Sequence, residues 1–348
     1  MPKIRFDPAQ YYSRQTVLKE LGKQGQDRLR KAKVTVVGVG GIGTVSALYL
    51  ALAGVRNLVL VDQDTVELHN LHRQILFTAR DLRLPKAELA ARRVMEANPD
   101  VKALGVPDNL REENVEEIIK KADVVVDGLD NMKTRYIVNS VCSRLHIPYV
   151  FGGAIAMEGN ISVFHPPETP CLECILPSID DANLPGCDTR GVLGATAAIV
   201  GAIQAMETIK LLAGMDETLK GKLLVCDFRR MEFDKIEIFR REDCSVCGDK
   251  ARLRPERMER LAWLCGRETM NVNPPEPTSL DLEKTLRRVR RRYDVLARSS
   301  IVIVFRHGSH EVSLFRNGRM LIKEVASEEE ALRTYQDLSR LFVTRKLR

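Results

Sequence analysis

The sequence predicts an α/β fold built on a doubly wound, mostly parallel sheet, followed by a small α+β domain. Short β-branched runs alternate with helix-like patterns from residue 33 to residue 239, the order expected of parallel strands joined by crossover helices. Residues 123–127 read Asp-Val-Val-Val-Asp, a run typical of a strand buried on both faces. Near residue 250 the composition changes, which indicates a domain boundary.

The first elements form a strand–turn–helix–strand unit. Residues 33–37 are a β-branched run that ends at Gly38, and a glycine-rich turn leads into a helical pattern over residues 44–53. A second apolar run, residues 57–61, ends at Asp62. The same patterns predict later strands at 123–127, 149–151, 161–164, 222–227 and 235–239, and helices at 86–97, 134–145 and 195–213.

The C-terminal part differs in charge from the rest of the chain. Residues 249–348 carry 22 Lys and Arg against 14 Asp and Glu, whereas the remainder carries 32 against 33. Five arginines lie within residues 287–292. A solvated helix face is the simplest interpretation of this run, and docking of an acidic protein surface or of tRNA is the alternative.

Local signals divide the C-terminal part further. Residues 273–277, Asn-Pro-Pro-Glu-Pro, indicate a linker. Asn317-Gly318 predicts a hairpin, and Ser327 with Glu330 predicts a capping box at the start of a final helix. A helix is predicted at 282–293 and strands at 301–305, 311–315 and 320–325. The predicted boundaries are residues 1–250 for the first domain, 251–279 for a linker and 280–348 for the small α+β domain.

Neither a signal peptide nor a membrane span is predicted. Residues 1–10 contain no apolar run. Residues 192–206 are apolar but include Gln204, and they fall short of the ~20 residues that a membrane span needs, so a buried helix is expected. A reducing cytoplasm is the predicted compartment.

The glycine turn is the first motif with a chemical meaning. Residues 38–43 read Gly-Val-Gly-Gly-Ile-Gly, the G-x-G-x-x-G pattern, which lets the backbone approach a phosphate at a helix N-terminus. Asp62 ends the next strand, where an acid can bind ribose hydroxyls. Asp64 follows two residues later and is included in the predicted nucleotide site. The fold is therefore predicted to be Rossmann-like, and a NAD-dependent oxidoreductase remains a competing interpretation.

Charged residues after the second strand favour a polyphosphate over NAD. Arg73 and Lys86 supply cations, and Asp130 ends a later strand, where an acid suits magnesium. Each charge alone is more often a solvated surface group, so the interpretation depends on their combination.

Two Cys-x-x-Cys pairs predict a metal site. Sixty-nine residues separate Cys174 from Cys244. Four thiolates form a closed tetrahedral zinc site with a structural role. Core packing is expected for Cys142 and Cys226, which lie in apolar patterns. The predicted zinc ligands are Cys171, Cys174, Cys244 and Cys247.

Taken together, these motifs resemble the ThiF/MoeB/HesA family, relatives of the ubiquitin-activating enzymes, with the pattern of MoeB as the nearest. The resemblance covers about residues 10–250. It is carried by the glycine turn, both cysteine pairs, and residues 12–15 (Tyr-Ser-Arg-Gln), 71–74 (Leu-His-Arg-Gln), 85–86 (Pro-Lys), 130–131 (Asp-Asn) and 157–161 (Met-Glu-Gly-Asn-Ile).

The resemblance implies an ATP-dependent adenylyltransferase. It implies that Asp130 lies beside magnesium and the reacting carboxylate, and that Arg14 reaches the site of the partner subunit in a homodimer. It also implies a carrier protein whose C-terminal Gly-Gly enters beside the α-phosphate. The nucleotide-binding positions it implies are Gly38, Gly40, Gly41, Gly43, Asp62, Asp64, Asn70, Arg73, Lys86, Asp130 and Asn131.

A cysteine near residue 187 often serves this family on a mobile crossover loop. Cys187 is therefore a predicted site for a thioester or an acyl-persulfide with the carrier, and a loop cysteine without catalytic duty is equally consistent with the sequence. Cys265 is the only rival for that role. A separate sulfur donor protein is an alternative acceptor of the activated carrier.

The leading hypothesis is adenylation of a sulfur carrier for molybdopterin, thiamine or thiolated tRNA. Activation of a ubiquitin-like modifier for protein conjugation is the alternative. A NAD oxidoreductase leaves Arg73, Lys86, Asp130 and the cysteines unexplained. A non-enzymatic, nucleic-acid-binding zinc protein leaves the nucleotide site unexplained. The C-terminal domain is assigned a docking role.

Overall fold

The computed structural model describes residues 6–181, 190–249, 260–263 and 269–344. The chain divides into two compact units. The first comprises Met1–Asp81 and Lys86–Glu256, and the second comprises Leu82–Pro85 and Arg257–Arg348. Each unit has its own sheet.

The first unit contains an eight-stranded sheet in the order β3-β2-β1-β4-β5-β6-β7-β8. The five strands from β3 to β5 run parallel to their neighbours, and β6, β7 and β8 continue the sheet antiparallel. The strands are β1 (Lys33–Val37), β2 (Asn57–Val61), β3 (Lys102–Val106), β4 (Val124–Asp127), β5 (Tyr149–Ile155), β6 (Glu158–Phe164), β7 (Lys222–Asp227) and β8 (Glu232–Glu237).

Nine helices accompany this sheet among the described residues. They are α1 (Pro8–Tyr11), α2 (Ser13–Thr16), α3 (Gly22–Lys31), α4 (Gly41–Ala53), α5 (Lys86–Ala97), α6 (Val115–Ile119), α7 (Met132–Leu145), α8 (Leu172–Ile175) and α9 (Gly194–Ala213). Short 3₁₀ turns lie at Leu68–Asn70 and Ala79–Asp81.

The central strands are buried because helices cover the sheet. All four residues of β4 are buried, as are the last four of β1. Helices α4 and α9 pack together and contact the sheet. Side chains of α7, including Val138 and Cys142, pack in one apolar cluster with Tyr149 and Phe151 of β5. Strands β1 and β4 are adjacent and parallel, so both strands end at the same edge of the sheet.

Helix α9 is the one described helix long and apolar enough to cross a membrane, but its polar side chains are bound inside the unit. Gln204 donates to the carbonyl oxygens of Asp127 at 2.8 Å and Val150 at 3.0 Å, and its own oxygen lies 3.1 Å from Ser46 Oγ. Glu207 accepts the Leu219 N–H at 2.7 Å. The helix therefore packs as the expected buried helix of the first unit.

The second unit has a six-stranded antiparallel sheet in the order β11-β12-β13-β14-β10-β9. Two helices, α10 (Leu282–Val289) and α11 (Glu328–Ser339), contribute Leu286 and Leu338 to the core, which includes Phe305. The strands are β9 (Leu261–Trp263), β10 (Thr269–Val272), β11 (Val295–Arg298), β12 (Val302–His307), β13 (His310–Phe315) and β14 (Met320–Lys323).

The predicted fold class is confirmed: a Rossmann-like sheet is joined to a separate, small α+β unit. Asn317-Gly318 connects β13 to β14 as the hairpin signal predicts, and Ser327 caps α11. Strands β3, β9, β10 and β11 were absent from the sequence prediction. The residues predicted as a linker, 251–279, contain β9 and β10. The domain boundaries themselves stay a prediction.

Because Gln204 joins α9 to two strands and to α4, we expect Gln204→Leu to lower the free energy of unfolding by about 2 kcal/mol. The apolar side chain would leave the Asp127 and Val150 carbonyl oxygens without this donor. Met206→Leu, at an exposed position of the same helix, is the matched control. Urea unfolding followed by circular dichroism measures both, and equal losses would contradict the role given to Gln204.

Candidate functional site

The glycine turn between β1 and α4 has the backbone geometry of an anion site. Gly38 adopts a φ of +86°, a left-handed conformation that favours glycine. A Cβ on Gly43 would lie 1.9 Å from the Gly38 carbonyl oxygen, so the turn closes only without a side chain there. Helix α4 starts at Gly41 with no side-chain cap, which leaves its first N–H groups available to an anion.

A second turn, after β4, packs directly on the first. The Gly128 N–H donates to the Val37 carbonyl at 2.7 Å. A Cβ on Gly128 would lie 2.2 Å from the Gly38 carbonyl oxygen, so this contact is between two backbones. The two turns therefore form one continuous wall at the carboxyl edge of β1 and β4, where ligands of doubly wound sheets bind.

Asp62 connects the end of β2 to the glycine turn. Its carboxylate accepts the N–H groups of Val39 and Asp64, each at 2.8 Å. Burial, reinforced by the charge of Asp64, raises the pKa of Asp62 to about 6, although Lys86 and both N–H donors oppose the shift. A carboxylate so close to the turn is positioned to accept hydroxyl groups of a ribose.

Lys86 is a buried cation at the first position of α5. Its side chain is 6% exposed, and Nζ lies 2.9 Å from Oδ2 of Asp64. Burial favours the neutral amine, but the charges of Asp64, Asp62 and Asp130 outweigh it and raise the pKa of Lys86. The structure thus brings four predicted site residues into one electrostatic cluster. Among the residues that the structure describes, none forms a hydrogen bond with the buried Oδ1 of Asp64.

Arg73 and Asn70 lie on the turn that follows β2. A Cβ on Gly41 would lie 3.3 Å from Arg73 Cγ, so the arginine stem passes alongside the glycine turn. Its guanidinium donates to the His69 carbonyl at 2.8 Å. Asn70 is buried and its Oδ1 accepts the Glu67 N–H at 3.1 Å, which gives it a structural role within the turn itself.

Asp130 is exposed just after β4, and Asn131 begins the next helix. Oδ1 of Asn131 accepts the Thr134 N–H at 2.9 Å, so this residue is the N-cap of α7. Its Nδ2 donates to Asp130 Oδ1 at 3.2 Å. Asp181 also accepts the Met132 N–H, at 2.6 Å. The Asp130 carboxylate therefore lies beside the N-terminus of α7, and it interacts electrostatically with Lys86.

A buried network that the sequence prediction missed holds this turn in place. Arg135 Nε lies 3.0 Å from Asp127 Oδ2, and the same oxygen accepts the Tyr149 hydroxyl at 2.8 Å. Arg135 also donates to the carbonyl oxygens of Leu129 at 2.7 Å and Gly152 at 2.9 Å. Burial raises the pKa of Asp127 even though Arg135 opposes it. The acidic end of the apolar run was the only sequence signal for this network.

Gln74 was also missed as a separate site residue. It is buried beside the glycine turn, and its Oε1 has no hydrogen-bond partner among the described residues. A Cβ on Gly40 would lie 3.9 Å from Gln74 Nε2. Its place in the segment Leu-His-Arg-Gln was the available signal.

Two predicted site residues are not joined to this cluster. Arg14 lies on α2 and is exposed, and within the described part of the chain its side chain forms no hydrogen bond or ion pair. Cys187 lies outside the described residues, as does Cys265. The roles predicted for all three residues rest on the sequence.

The four predicted zinc ligands come together. Their sulfur atoms all lie within 4.8 Å of one another. The Cys171 and Cys244 sulfurs are 3.6 Å apart, and those of Cys174 and Cys247 are 3.4 Å apart. A tetrahedral zinc site with Zn–S bonds of about 2.3 Å requires sulfur atoms roughly 3.8 Å apart, so the cluster fits zinc. Core packing is observed for Cys142 and Cys226, both buried.

This arrangement can bind a nucleotide polyphosphate and hold a second anion beside it. The α4 N–H groups and the Arg73 stem flank the turn, and Asp62 binds its backbone. Lys86 interacts electrostatically with Asp62 and Asp130. Among the described groups near the turn no histidine–cysteine or histidine–serine pair forms a nucleophile with its base, so the arrangement favours chemistry by positioning and charge rather than by covalent attack from the protein.

The sequence of this chain matches a known protein family. The profile of the ThiF family matches residues 12–246. The chain is 40% identical over 245 residues to the "Sulfur carrier protein adenylyltransferase" of Thermus thermophilus, an overlap of 69% of this chain and 90% of that protein. It is 42% identical over 239 residues to the "SAMP-activating enzyme E1" of Haloferax volcanii, covering 68% and 88%.

Other similarities are more partial. The chain is 40% identical over 253 residues to "Adenylyltransferase and sulfurtransferase MOCS3" of Culex quinquefasciatus, which is 72% of this chain but 58% of that protein. Among solved structures, E. coli MccB with ATP superposes with a TM-score of 0.62 and 25% identity, covering 69% of this chain and 75% of that one. The matched region includes the glycine turn, Lys86, Asp130 and all but one of the clustered cysteines, and the chain belongs to the ThiF family.

Proposed function

We propose that this chain adenylates the C-terminal carboxylate of a ubiquitin-like sulfur carrier protein at the expense of ATP. The observation that carries the proposal is the buried, charged Lys86, which pairs with Asp64 and interacts electrostatically with Asp62 and Asp130. The identity to the Thermus thermophilus adenylyltransferase, which spans 90% of that protein, supports the same activity.

The reaction joins two anions. A carboxylate oxygen of the carrier attacks the α-phosphorus, and the bond from that phosphorus to the bridging oxygen of the β-phosphate breaks. Pyrophosphate leaves with the electron pair, and an acyl-adenylate remains. The carboxylate is already a nucleophile, so the step needs no general base. Charge on the phosphates must be offset instead, which is the task proposed for Lys86, Arg73 and the α4 N-terminus.

ATP and magnesium fit the residues present. Oδ1 of Asp64 and Oε1 of Gln74 are buried without a hydrogen-bond partner in the described part of the chain, and Gln74 lies by the glycine turn, where the nucleotide is proposed to bind. Asp62 is proposed to bind the ribose, and Asn70 and Asn131 to line the phosphate side. Asp130 would hold magnesium, whose chemistry is to neutralise phosphate charge. Asp130 would also orient the incoming carboxylate through the same ion.

The cysteine cluster is proposed to hold zinc with a structural role. Four thiolates complete a tetrahedral shell and leave no open coordination position for substrate. The ion would join α8 to the segment after β8, about 70 residues later in the chain. Its function is then to fix the edge of the unit, not to take part in adenylation.

Other parts of the prediction extend the proposal. A homodimer is proposed, in which Arg14 of each subunit completes the site of the other, and the cytoplasm is the proposed compartment. Transfer of the activated carrier to Cys187 or to a separate sulfur donor protein stays a prediction of the sequence. Activation of a modifier for protein conjugation is a second candidate, favoured by the printed name of the Haloferax volcanii relative.

The first prediction concerns Asp130. With a carrier ending in Gly-Gly and magnesium, the chain should exchange labelled pyrophosphate into ATP, and Asp130→Ala should lower that rate by about 10²–10³, the loss typical of removing one charge-stabilising group. Folding should be unaffected because the residue is exposed. Glu117→Gln, at another exposed acid, is the control and should keep wild-type exchange. Full activity of Asp130→Ala would refute its assignment.

The second prediction concerns the metal. Purified protein should contain about one zinc per chain, and Cys171→Ser should lose it together with a drop in thermal stability, because a closed thiolate site contributes to folding directly. Cys142→Ser, at a buried cysteine outside the cluster, should retain the zinc. Elemental analysis measures the content. A zinc-free wild-type protein of unchanged stability, prepared without chelator, would contradict the assignment.

The third prediction tests Arg14 across a subunit interface. Arg14→Ala and Asp130→Ala should each lose most of the exchange activity, but a mixture should regain part of the wild-type exchange rate after subunit exchange, since one site of each hybrid dimer has both residues. Native mass spectrometry with differently tagged subunits verifies that hybrids form. Hybrids that remain inactive would place Arg14 outside the partner's site.

A further inference from the structure

The second unit carries a cluster of exposed arginines. Along α10, the side chains of Leu282, Thr285, Leu286 and Val289 are buried, at the spacing of one helix face. The other side of the helix and the segment that follows it are exposed to solvent. Six exposed arginines of this region and of the next two strands form what we call the arginine face: Arg287, Arg290, Arg291, Arg292, Arg298 and Arg306.

Strands β11 and β12 hold two of these arginines beside the end of α10. Arg298 is the last residue of β11, and Arg306 lies on β12, which pairs with β11. The Arg306 N–H donates to the Asp294 carbonyl oxygen at 3.0 Å, so β12 is bonded to the segment between α10 and β11. A concavity of about 510 Å³ lies along this segment, and its lining includes Arg290, Arg298, Tyr293 and Asp294. Cations of the arginine face thus line a concave surface.

The charge of the arginine face is not offset by pairing within the part of the chain that the structure describes. None of its six guanidiniums forms a hydrogen bond or an ion pair there. Helix α11 of the same unit differs: its exposed residues include Glu328, Arg333, Asp337 and Arg340, and Arg340 lies 3.7 Å from Asp337. Mixed charges of that kind need no ligand, whereas cations of one sign repel one another and attract a polyanion.

The composition of the arginine face fits a phosphate backbone better than an acidic protein surface. Protein–protein interfaces have a core depleted in charged residues, whereas nucleic-acid interfaces are more polar and much more positively charged. Among the residues that line the concavity, Leu296 is the large apolar side chain exposed to solvent, by 37%. The cations are all arginines, whose planar guanidinium binds phosphate oxygens through two parallel hydrogen bonds.

Tyr293 favours a single strand over a duplex. Its half-buried ring lies in the wall of the concavity, with its centroid 5.5 Å from that of Phe305 and 5.2 Å from that of His307. These contacts fix the ring before any ligand arrives. Aromatic rings beside guanidiniums stack on unpaired bases, and bases inside a duplex are not available for such stacking. Unpaired bases of this kind occur in the loops, bulges and ends of RNA.

We propose that the arginine face binds single-stranded RNA, with the guanidiniums on the phosphates and Tyr293 against a base. The inference goes beyond the proposed adenylation and concerns the second unit alone, since this binding needs neither ATP nor a carrier protein. The simpler alternative, a solvated basic surface, predicts that removal of any two exposed arginines of the unit has the same effect on a polyanion.

An oligouridine of about twelve nucleotides, labelled with fluorescein and titrated with the full chain, tests the proposal by anisotropy. We expect a Kd of roughly 10⁻⁶–10⁻⁴ M at physiological salt, and log K should fall by about 0.7 per phosphate contact for each unit of log salt. Arg290→Gln with Arg298→Gln should weaken binding about tenfold and reduce this slope by roughly 1.4. Wild-type affinity and slope in that double variant, or no binding by the wild type, would overturn the proposal.

The matched control removes the same charge from another surface of the unit. Arg333→Gln with Arg340→Gln, on α11, should stay within about twofold of wild-type affinity, because neither residue belongs to the arginine face. Both double variants should melt as the wild type does, since all four side chains are exposed. Equal losses of affinity in the two double variants would show that only the total charge matters and would overturn the site.

A second pair of variants tests the stacking. Tyr293→Leu should weaken binding about fivefold or more, as expected from the loss of one stacked base, whereas Tyr293→Phe should stay within about twofold of wild type. A duplex of the same length should bind less tightly than the single strand in spite of its greater charge. Tighter binding of the duplex, or wild-type affinity of a folded Tyr293→Leu protein, would overturn the assignment to single strands.

An acidic protein is the competing occupant. A carrier ending in Gly-Gly should bind the wild type and the Arg290→Gln, Arg298→Gln variant with equal affinity, because the arginine face is assigned to RNA. If the variant instead loses affinity for the carrier and keeps its affinity for the oligouridine, the face belongs to a protein partner and the proposal fails. Both titrations are made without ATP, so a failure of the proposed adenylation leaves them unchanged.

Discussion

The nucleotide site depends on one close contact between two backbones, the turn after β1 and the turn after β4. Gly38 and Gly128 meet there at a distance that leaves no room for a Cβ on either turn. The contact brings the ends of two parallel strands together, so that the α4 N-terminus and Asp130 lie at the same edge of the sheet. Residues further along the chain, Asp62 and Lys86, then reach that edge from β2 and α5.

The acids at this edge of the sheet stabilise the charged form of one buried lysine. Asp62, Asp64 and Asp130 keep Lys86 protonated despite its burial. A cation fixed in this way costs little reorganisation when phosphate arrives, because its charge and position are already set. Asp127 and Arg135 serve the same end indirectly, since their buried pair holds the turn that carries Asp130.

Much of this could be predicted because the relevant signals are local. Glycines at 38 and 43, the apolar run before Asp127 and the two cysteine pairs each imply a geometry by residue type and spacing alone. The hydrogen bond between Asp127 and Tyr149 could not be predicted. The two residues are 22 positions apart, and an acid at the end of a strand usually indicates only a solvated surface group. Strand β3 was missed because its sequence, Lys-Ala-Leu-Gly-Val, has no β-branched run.

The identity of the activated product tests the proposed adenylation most directly. The direct measurement is the mass of a Gly-Gly carrier protein after incubation with this chain, ATP and magnesium, together with the phosphate product released. We expect a carrier heavier by one adenylyl group, which is lost again on treatment with hydroxylamine, and one pyrophosphate released for each carrier modified. A carrier that gains a phosphoryl group with release of ADP, or one that stays unmodified while ATP is consumed, would contradict it.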